Sequence, residues 1–257
     1  MRATPIRNAN AEMAGKNRGG NVATDDFPET DLKSPVICGD RGVTLVGGGE
    51  IGPADVKEAL TLAPRLVAAD GGAGAALAAG HAPEAVIGDF DSVTDETLAR
   101  LPDARQVRVA EQDSTDFEKC LARIDAPLIV AVGFLGRRVD HQLAAMAALA
   151  RETRPVVMVG RHDVVVHASR LEISPPPGSR LSLFPMARVT GRSDGLEWPI
   201  DGIVFAPDGR IGTSNRVTGP VRLAFDGPGM LTIMPRAALA SVAAALRGPD
   251  GARATSP

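Results

Sequence analysis

Ala85-Val86-Ile87-Gly88-Asp89-Phe90-Asp91-Ser92 decides how this chain reads. Its first three residues form an apolar run closed by a glycine, the pattern of a strand buried on both faces of a parallel sheet. Such a strand delivers Asp89 and Asp91 side by side at its carboxyl end, where open α/β sheets place their ligands. Two carboxylates this close repel unless a cation lies between them. Hard divalent ions such as Mg2+ combine carboxylate oxygens with substrate phosphates, so the pair points to phosphate chemistry ahead of a proton relay. An Asx-rich surface turn accounts for the same residues, and the flanking sequence has to decide.

Upstream, residues 1–42 mix Asn, Gly, Asp, Lys and Pro without periodicity and are expected to form a flexible leader. Order is expected from Val43-Thr44-Leu45-Val46, a short strand followed by Gly47-Gly48-Gly49-Glu50-Ile51-Gly52. Val56, Ala59, Leu60 and Ala63 then recur at helical spacing. Leu66 to Ala69 is a second strand ending in Asp70-Gly71-Gly72, with an Ala-rich helix leading into the strand before Asp89. Downstream, Gln106 to Val109 reads as a strand, and Thr115 with Glu118 three residues on reads as a capping box opening a helix. Leu128 to Val132, a helix reaching about Arg151, and Val156 to Val159 complete the alternation. The βαβ rhythm predicts an α/β domain with a mostly parallel sheet over residues 43–160.

From about Asp163 the pattern changes to short strands broken by Pro and Gly, at Val164 to His167, Arg180 to Phe184, Arg188 to Thr190, Val221 to Phe225 and Met230 to Met234. This predicts an all-β, sandwich-like domain over residues 161–247, closed by a helix from Ala237 to Leu246. A loose tail is expected at residues 248–257.

Composition removes several function classes. A formal net charge of −3 supplies no general basic field for nucleic acid or anionic lipid. Cys38 and Cys120 are the only cysteines, too few for a structural zinc site, which points to a reducing compartment and a cytoplasmic protein. No apolar run approaches the length of a membrane span.

Gly47-x-Gly49-x-x-Gly52 fits a dinucleotide fingerprint, with Asp70 where a ribose-binding acid would stand, so an NAD-dependent oxidoreductase is the rival enzyme reading. The loop lacks the Lys and hydroxyl of a Walker A motif. A plain dehydrogenase has no use for Gly88 to Ser92 or for the acid-rich segment Glu111-Gln112-Asp113-Ser114-Thr115-Asp116. Asp70, Asp89, Asp91, Glu111 to Asp116 and Asp140 all fall after expected strands or at helix entrances, positions that share one rim in a doubly wound sheet. A rim with that many acids needs a metal and cationic groups, and Arg138 beside Asp140 offers a phosphate-binding guanidinium. Asp116 also suits a helix-dipole role, His141 is open between base and cap, and Trp198 is open between core and a stacking platform for a cationic ring.

Ala69-Asp70-Gly71-Gly72-Ala73, Gly88 to Ser92 and Gln112 to Lys119 resemble, in order, the A-D-G-G-A-N, G-D-F-D-S and Q-D-x-T-D-F-E-K motifs of the thiamine pyrophosphokinase family. Gly136-Arg137-Arg138-Val139-Asp140-His141 is similar to G-G-R-x-D-H, Gly195 to Ile200 to G-L-x-[YW]-P-L, and Thr213-Ser214-Asn215 to a late S-T-S-N motif. The resemblance implies Mg2+-dependent transfer of a pyrophosphoryl group from ATP to the hydroxyl of thiamine, giving AMP and thiamine diphosphate, in a homodimer with shared sites.

Carried over by position, Asp89, Asp91 and Asp116 would hold Mg2+, while Asp113, Arg138 and Asp140 would join them in catalysis, with Asp113 and Asp140 as equal candidates for a base. Asp70, Gln112, Trp198, Ser214 and Asn215 would contact thiamine. Gly71, Gly72, Ser92, Thr115, Lys119, Arg138 and His141 would contact the nucleotide. The chain departs from the family pattern at Gly74 for Asn, Glu111 for Asp, Arg137 for the second Gly, Gly212 for Ser and Arg216 for an acidic residue. Arg137 either crowds the backbone or adds a phosphate contact. A non-catalytic thiamine- or nucleotide-binding module is the remaining alternative.

Overall fold

The computed structural model describes residues 35–248. The first half comprises β1 (Ile37–Cys38), β2 (Val43–Val46), α1 (Asp55–Leu62), β3 (Arg65–Ala69), α2 (Gly72–Ala78), β4 (Ala85–Gly88), α3 (Asp95–Ala99), β5 (Arg105–Arg108), α4 (Asp116–Leu121), β6 (Ile124–Asp125), β7 (Ile129–Val132), α5 (Val139–Leu149) and β8 (Val156–Val159). Strands β2, β4, β7 and β8 are buried at every position. Burial on both faces is why β4, β7 and β8 read as unbroken apolar runs, while buried Thr44 in β2 donates its hydroxyl to the Ala63 carbonyl. Parallel pairing joins β3 to β4 and β4 to β5, and joins β2 to β7 and β7 to β8.

The second half comprises β9 (Asp163–His167), β10 (Arg170–Ile173), β11 (Arg180–Pro185), β12 (Gly191–Leu196), β13 (Thr213–Phe225), β14 (Met230–Pro235), a 3-10 turn at Arg236–Ala238 and α6 (Leu239–Arg247). The protein is mostly strands, organised around a large mixed sheet whose nine strands include the order β10-β13-β11-β14-β9-β8-β7-β2, with β12 also pairing β13.

The expected division near residue 160 is therefore not a break in the sheet. Strand β9 pairs antiparallel with β8, setting Val157 opposite Val166, and continues into β14 and β11. One core cluster holds Val46 and Val56 together with Leu171, Leu181 and Val217. The change of pattern at Asp163 marks a switch from parallel to antiparallel pairing. Residues on either side of it share apolar burial, the dominant favourable term in folding.

Two further differences have local causes. Ile37, inside the stretch expected as a leader, is buried and lies opposite Ile124 in the β1–β6 pair. The rest of the expected leader up to residue 34, and the tail from residue 249, lie outside the described residues. Helix α5 begins at Val139, so Asp140 and His141 stand in its first turn. Among the described residues no helix is long and apolar enough to cross a membrane.

Candidate active site

Asp70 follows β3 and is fully buried. Its carboxylate accepts hydrogen bonds from the backbone amides of Ser92 at 3.1 Å and Val93 at 2.9 Å. It thereby ties the end of β3 to the turn that carries Asp89 and Asp91. A Cβ on Gly88 would come within 2.7 Å of the Asp70 Cβ, so the Gly-Asp order after β4 is a packing requirement. Burial pushes the Asp70 pKa up to about 6, and the neighbouring Asp116 and Asp89 add to the rise against the two backbone amides.

Phe90 takes a left-handed φ of 66° between the two acids. Such a conformation costs a non-glycine residue roughly 1 kcal/mol or more and persists only where the surroundings hold it. One oxygen each of Asp70, Asp89 and Asp91 lies within 4.8 Å of the others. That is a set of hard oxygen donors of the kind Mg2+ takes.

The charge of this group is answered from α4. Thr115 caps the helix through the expected capping box with Glu118, and the helix packs Phe117, Cys120 and Leu121 into the core. This seating aims Lys119, buried at 3% exposure, at the acids, with Nζ 2.9 Å from Asp89 Oδ2 and 3.5 Å from Asp116 Oδ1. Gln112 Nε2 donates to the same Asp89 oxygen at 3.0 Å. Burial alone would raise the Asp89 pKa, but the bonds from Lys119 and Gln112 outweigh it and hold the value at about 2. Burial raises the Asp116 pKa, with repulsion from Asp89 and Asp91 adding to it against the pull of Lys119.

Asp116 was expected beside Asp89 and Asp91 as a ligand. The structure brings Asp70 into the close triad instead and joins Asp116 to it through the shared Lys119. Lys119, expected at the nucleotide, spends its ammonium on these acids. Thr115 and Ser92 likewise spend their hydroxyls locally, on Glu118 and on Asp91. Glu111 shapes the preceding turn by accepting from the amides of Asp113 and Ser114 and from the Ser114 hydroxyl. The signals for these roles were available: an Asp sealed at the end of a buried strand, and a Lys three residues after an Asp on one helix.

The glycine loops form a packed junction. A Cβ on Gly47 or Gly49 would lie 2.6 or 2.5 Å from the Gly133 carbonyl, and one on Gly72 would lie 2.0 Å from the Val46 carbonyl. The glycines after β2 thus allow two backbones to touch. The Gly52 amide is occupied by Asp55 Oδ2 at 2.7 Å and Asp70 by Ser92 and Val93, so neither stands as a dinucleotide site requires. Arg137 adopts a φ of 55° and reaches the Gly48 carbonyl with Nη1 at 3.3 Å. Its guanidinium bridges the two loops, and its backbone conformation explains why glycine suits this position.

Arg138 forms a two-pronged pair with Asp140, Nε to Oδ1 at 3.1 Å and Nη2 to Oδ2 at 2.6 Å. Hydrogen bonding from Arg138 lowers the Asp140 pKa to about 2, which makes Asp140 a poor proton acceptor at neutral pH. His141 and Asp113 are exposed. A cavity of about 810 Å3 opens between Glu50, Gly136 and Arg161, and none of the residues expected to act lines it.

Trp198, Ser214 and Asn215 gather elsewhere, lining a shallow cavity of about 280 Å3 with Gly178, Arg180 and Arg216 and without any of the carboxylates. Trp198 is 52% exposed, which excludes the core alternative. Its backbone is clamped by buried Asn215, whose Oδ1 accepts from the Trp198 amide at 3.2 Å and whose Nδ2 donates to the Trp198 carbonyl at 2.7 Å.

Residues 56–159 match the sequence profile of the family described as "Thiamin pyrophosphokinase, catalytic domain". Comparison with curated protein sequences returned no match. Among solved structures, the thiamin pyrophosphokinase from Geobacillus thermodenitrificans is similar at 23% identity and a TM-score of 0.62, over 75% of this chain and 96% of that one. The enzyme from Candida albicans is similar at 16% identity and a TM-score of 0.65, over 76% of this chain and 89% of that one. Yeast thiamin pyrophosphokinase is similar at 17% identity and a TM-score of 0.62, over 83% and 94%. At these identities the structural likeness establishes a shared fold, and the profile match spans Asp70, Asp89, Asp91, Asp116 and Arg138. The segment 56–159 is thus similar to a thiamin pyrophosphokinase catalytic domain, set in a chain that shares the fold of those enzymes.

Proposed function

We propose that the protein transfers the pyrophosphoryl group of ATP to the hydroxyl of thiamine, releasing AMP and thiamine diphosphate, with Mg2+ held at the carboxylate triad. The observation that carries this is the convergence of Asp70, Asp89 and Asp91, within 4.8 Å, inside the region matched to the catalytic domain.

Asp89 and Asp91 would hold the metal, with Asp70 or Asp116 completing the set. When bound, Mg2+ neutralises the phosphate oxygens as charge spreads over them in the transition state. The chain's own residues do the positioning. Asp70 fixes the Ser92–Val93 turn, and Lys119 balances the acids before substrate arrives. Arg138, paired with Asp140 at an exposed position, would take a phosphate oxygen pair. Gln112, Trp198, Ser214 and Asn215 would receive thiamine, the exposed indole suiting a cationic ring. None of the triad carboxylates lines the Trp198 cavity, which favours a homodimer in which one subunit's indole serves its partner's carboxylates. A cytoplasmic location fits the sparse cysteines.

The test is incubation of folded protein with ATP, Mg2+ and thiamine, following both products by chromatography. AMP and thiamine diphosphate in equal amounts are expected. ADP with thiamine monophosphate, or no turnover, would overturn the reading.

A further inference from the structure

We propose that Arg216 is a specificity-determining residue whose guanidinium occupies the Trp198 ring face in the free protein and competes there with the substrate's cationic ring. The inference rests on the reading that thiamine stacks on Trp198, and goes beyond it by naming what the substrate must displace.

The Arg216 Cζ lies over the indole, 5.9 Å from the ring centroid. Its Nη1 is 3.1 Å from Glu197 Oε2. The backbones are fixed beneath this arrangement: Glu197 N donates to Arg216 O at 2.9 Å, and Asn215 Oδ1 accepts from both the Trp198 and Arg216 amides. The Trp198 backbone is anchored, whereas the Arg216 side chain is 59% exposed and held at its tip by one exposed ion pair. A π face attracts a cation through its quadrupole and accommodates one such group at a time. Arg216 and Arg180 both line this cavity, and of the two Arg216 is the one recorded over the indole.

A cationic substrate ring arriving at Trp198 therefore meets a like charge already seated. When Arg216 leaves, Glu197 loses its partner and becomes the counter-charge nearest the incoming cation. The exchange replaces one cation on the ring by another, with Glu197 beside it in both states. Its net effect is to weaken thiamine binding relative to a neutral residue at position 216.

Trp198 is the single Trp and the chain has no Tyr, so indole emission reports on this site alone. The experiment titrates thiamine into the full-length wild type, Arg216→Gln and Arg216→Lys at low salt, reading Trp198 quenching, followed by steady-state kinetics. Arg216→Gln is expected to bind thiamine about two- to five-fold more tightly, the scale of an exposed cation–π contact. Its KM for thiamine should fall by the same factor, with kcat and the KM for ATP unchanged, and Arg216→Lys should fall between. Equal affinity in wild type and Arg216→Gln, with quenching intact, overturns the role of Arg216 and leaves Trp198 as the thiamine contact. Absence of quenching in all three removes the Trp198 reading and this inference with it.

Discussion

Lys119 Nζ lies 2.9 Å from Asp89 Oδ2, in a side chain only 3% exposed, and it is the cation that lets the carboxylate group persist in the ligand-free protein. Removing one partner of a buried pair leaves the other charge uncompensated. Lys119→Met is expected to lose about 3 kcal/mol of stability in metal-free buffer. Millimolar Mg2+ should restore part of it, since a ligand that binds only the folded state stabilises it. Urea unfolding with and without Mg2+ measures both effects, and an unchanged midpoint in metal-free buffer contradicts the role of Lys119.

Arg137 holds a left-handed φ of 55° that glycine adopts freely. Strain of this kind is worth roughly 1 kcal/mol, more than an exposed hydrogen bond at 3.3 Å to the Gly48 carbonyl contributes. Arg137→Gly is expected to raise the melting temperature by about 2 °C. A fall of similar size would show that the bridge between the two loops outweighs the strain.

His167 is buried, with Nδ1 2.7 Å from the Glu152 carbonyl and Nε2 accepting from the Gly229 amide at 3.2 Å. Burial lowers its pKa below the ordinary histidine value of 6.5, despite opposing help from Glu152. The unfolded chain then binds the proton first, so stability is complete above pH 6.5 and falls as pH drops below it toward the folded pKa. Protonation also requires Nε2 to give up Gly229. Unfolding free energy measured from pH 8 to 5 should decline more steeply in the wild type than in His167→Gln, and parallel curves would refute the linkage.

Much of this arrangement was readable from sequence where one physical constraint acted alone. The doubly buried strands β4, β7 and β8 declared themselves as apolar runs, and the Thr115–Glu118 box marked the start of α4. Strand β12, with the sequence Gly-Arg-Ser-Asp-Gly-Leu, and the polar first half of β13 carried no such signal, because their burial is intermediate or alternating and tertiary pairing decides them. At the site, the Asp89–Asp91 pair and the place of Asp70 on the same rim were legible, but the approach of Asp70 to within 4.8 Å of the pair was not. That depends on the parallel register of β3 and β4, which pairs Ala69 with Ile87. The continuity of the sheet past residue 160 was hidden for the same reason, since pairing between β8 and β9 is a long-range choice among equally apolar strands.

Trp198 stands half in solvent, so its truncation removes little core. Trp198→Ala is expected to change stability by less than about 1 kcal/mol, the range of surface substitutions. The KM for thiamine should rise several-fold with the KM for ATP unchanged. Equal effects on both substrates would assign the indole to structure rather than to thiamine.

The central claim is that Asp89 and Asp91 act through Mg2+ on the transferred group, and a Mg2+ titration of AMP formation by the wild type and Asp91→Asn tests it most directly. The wild type should be silent with chelator and active with Mg2+, and Asp91→Asn should lose about 100-fold or more in kcat, the scale of removing one transition-state charge contact, while keeping its melting temperature in metal-free buffer. Wild-type turnover in the variant, or AMP formation by the wild type in excess chelator, would contradict the account.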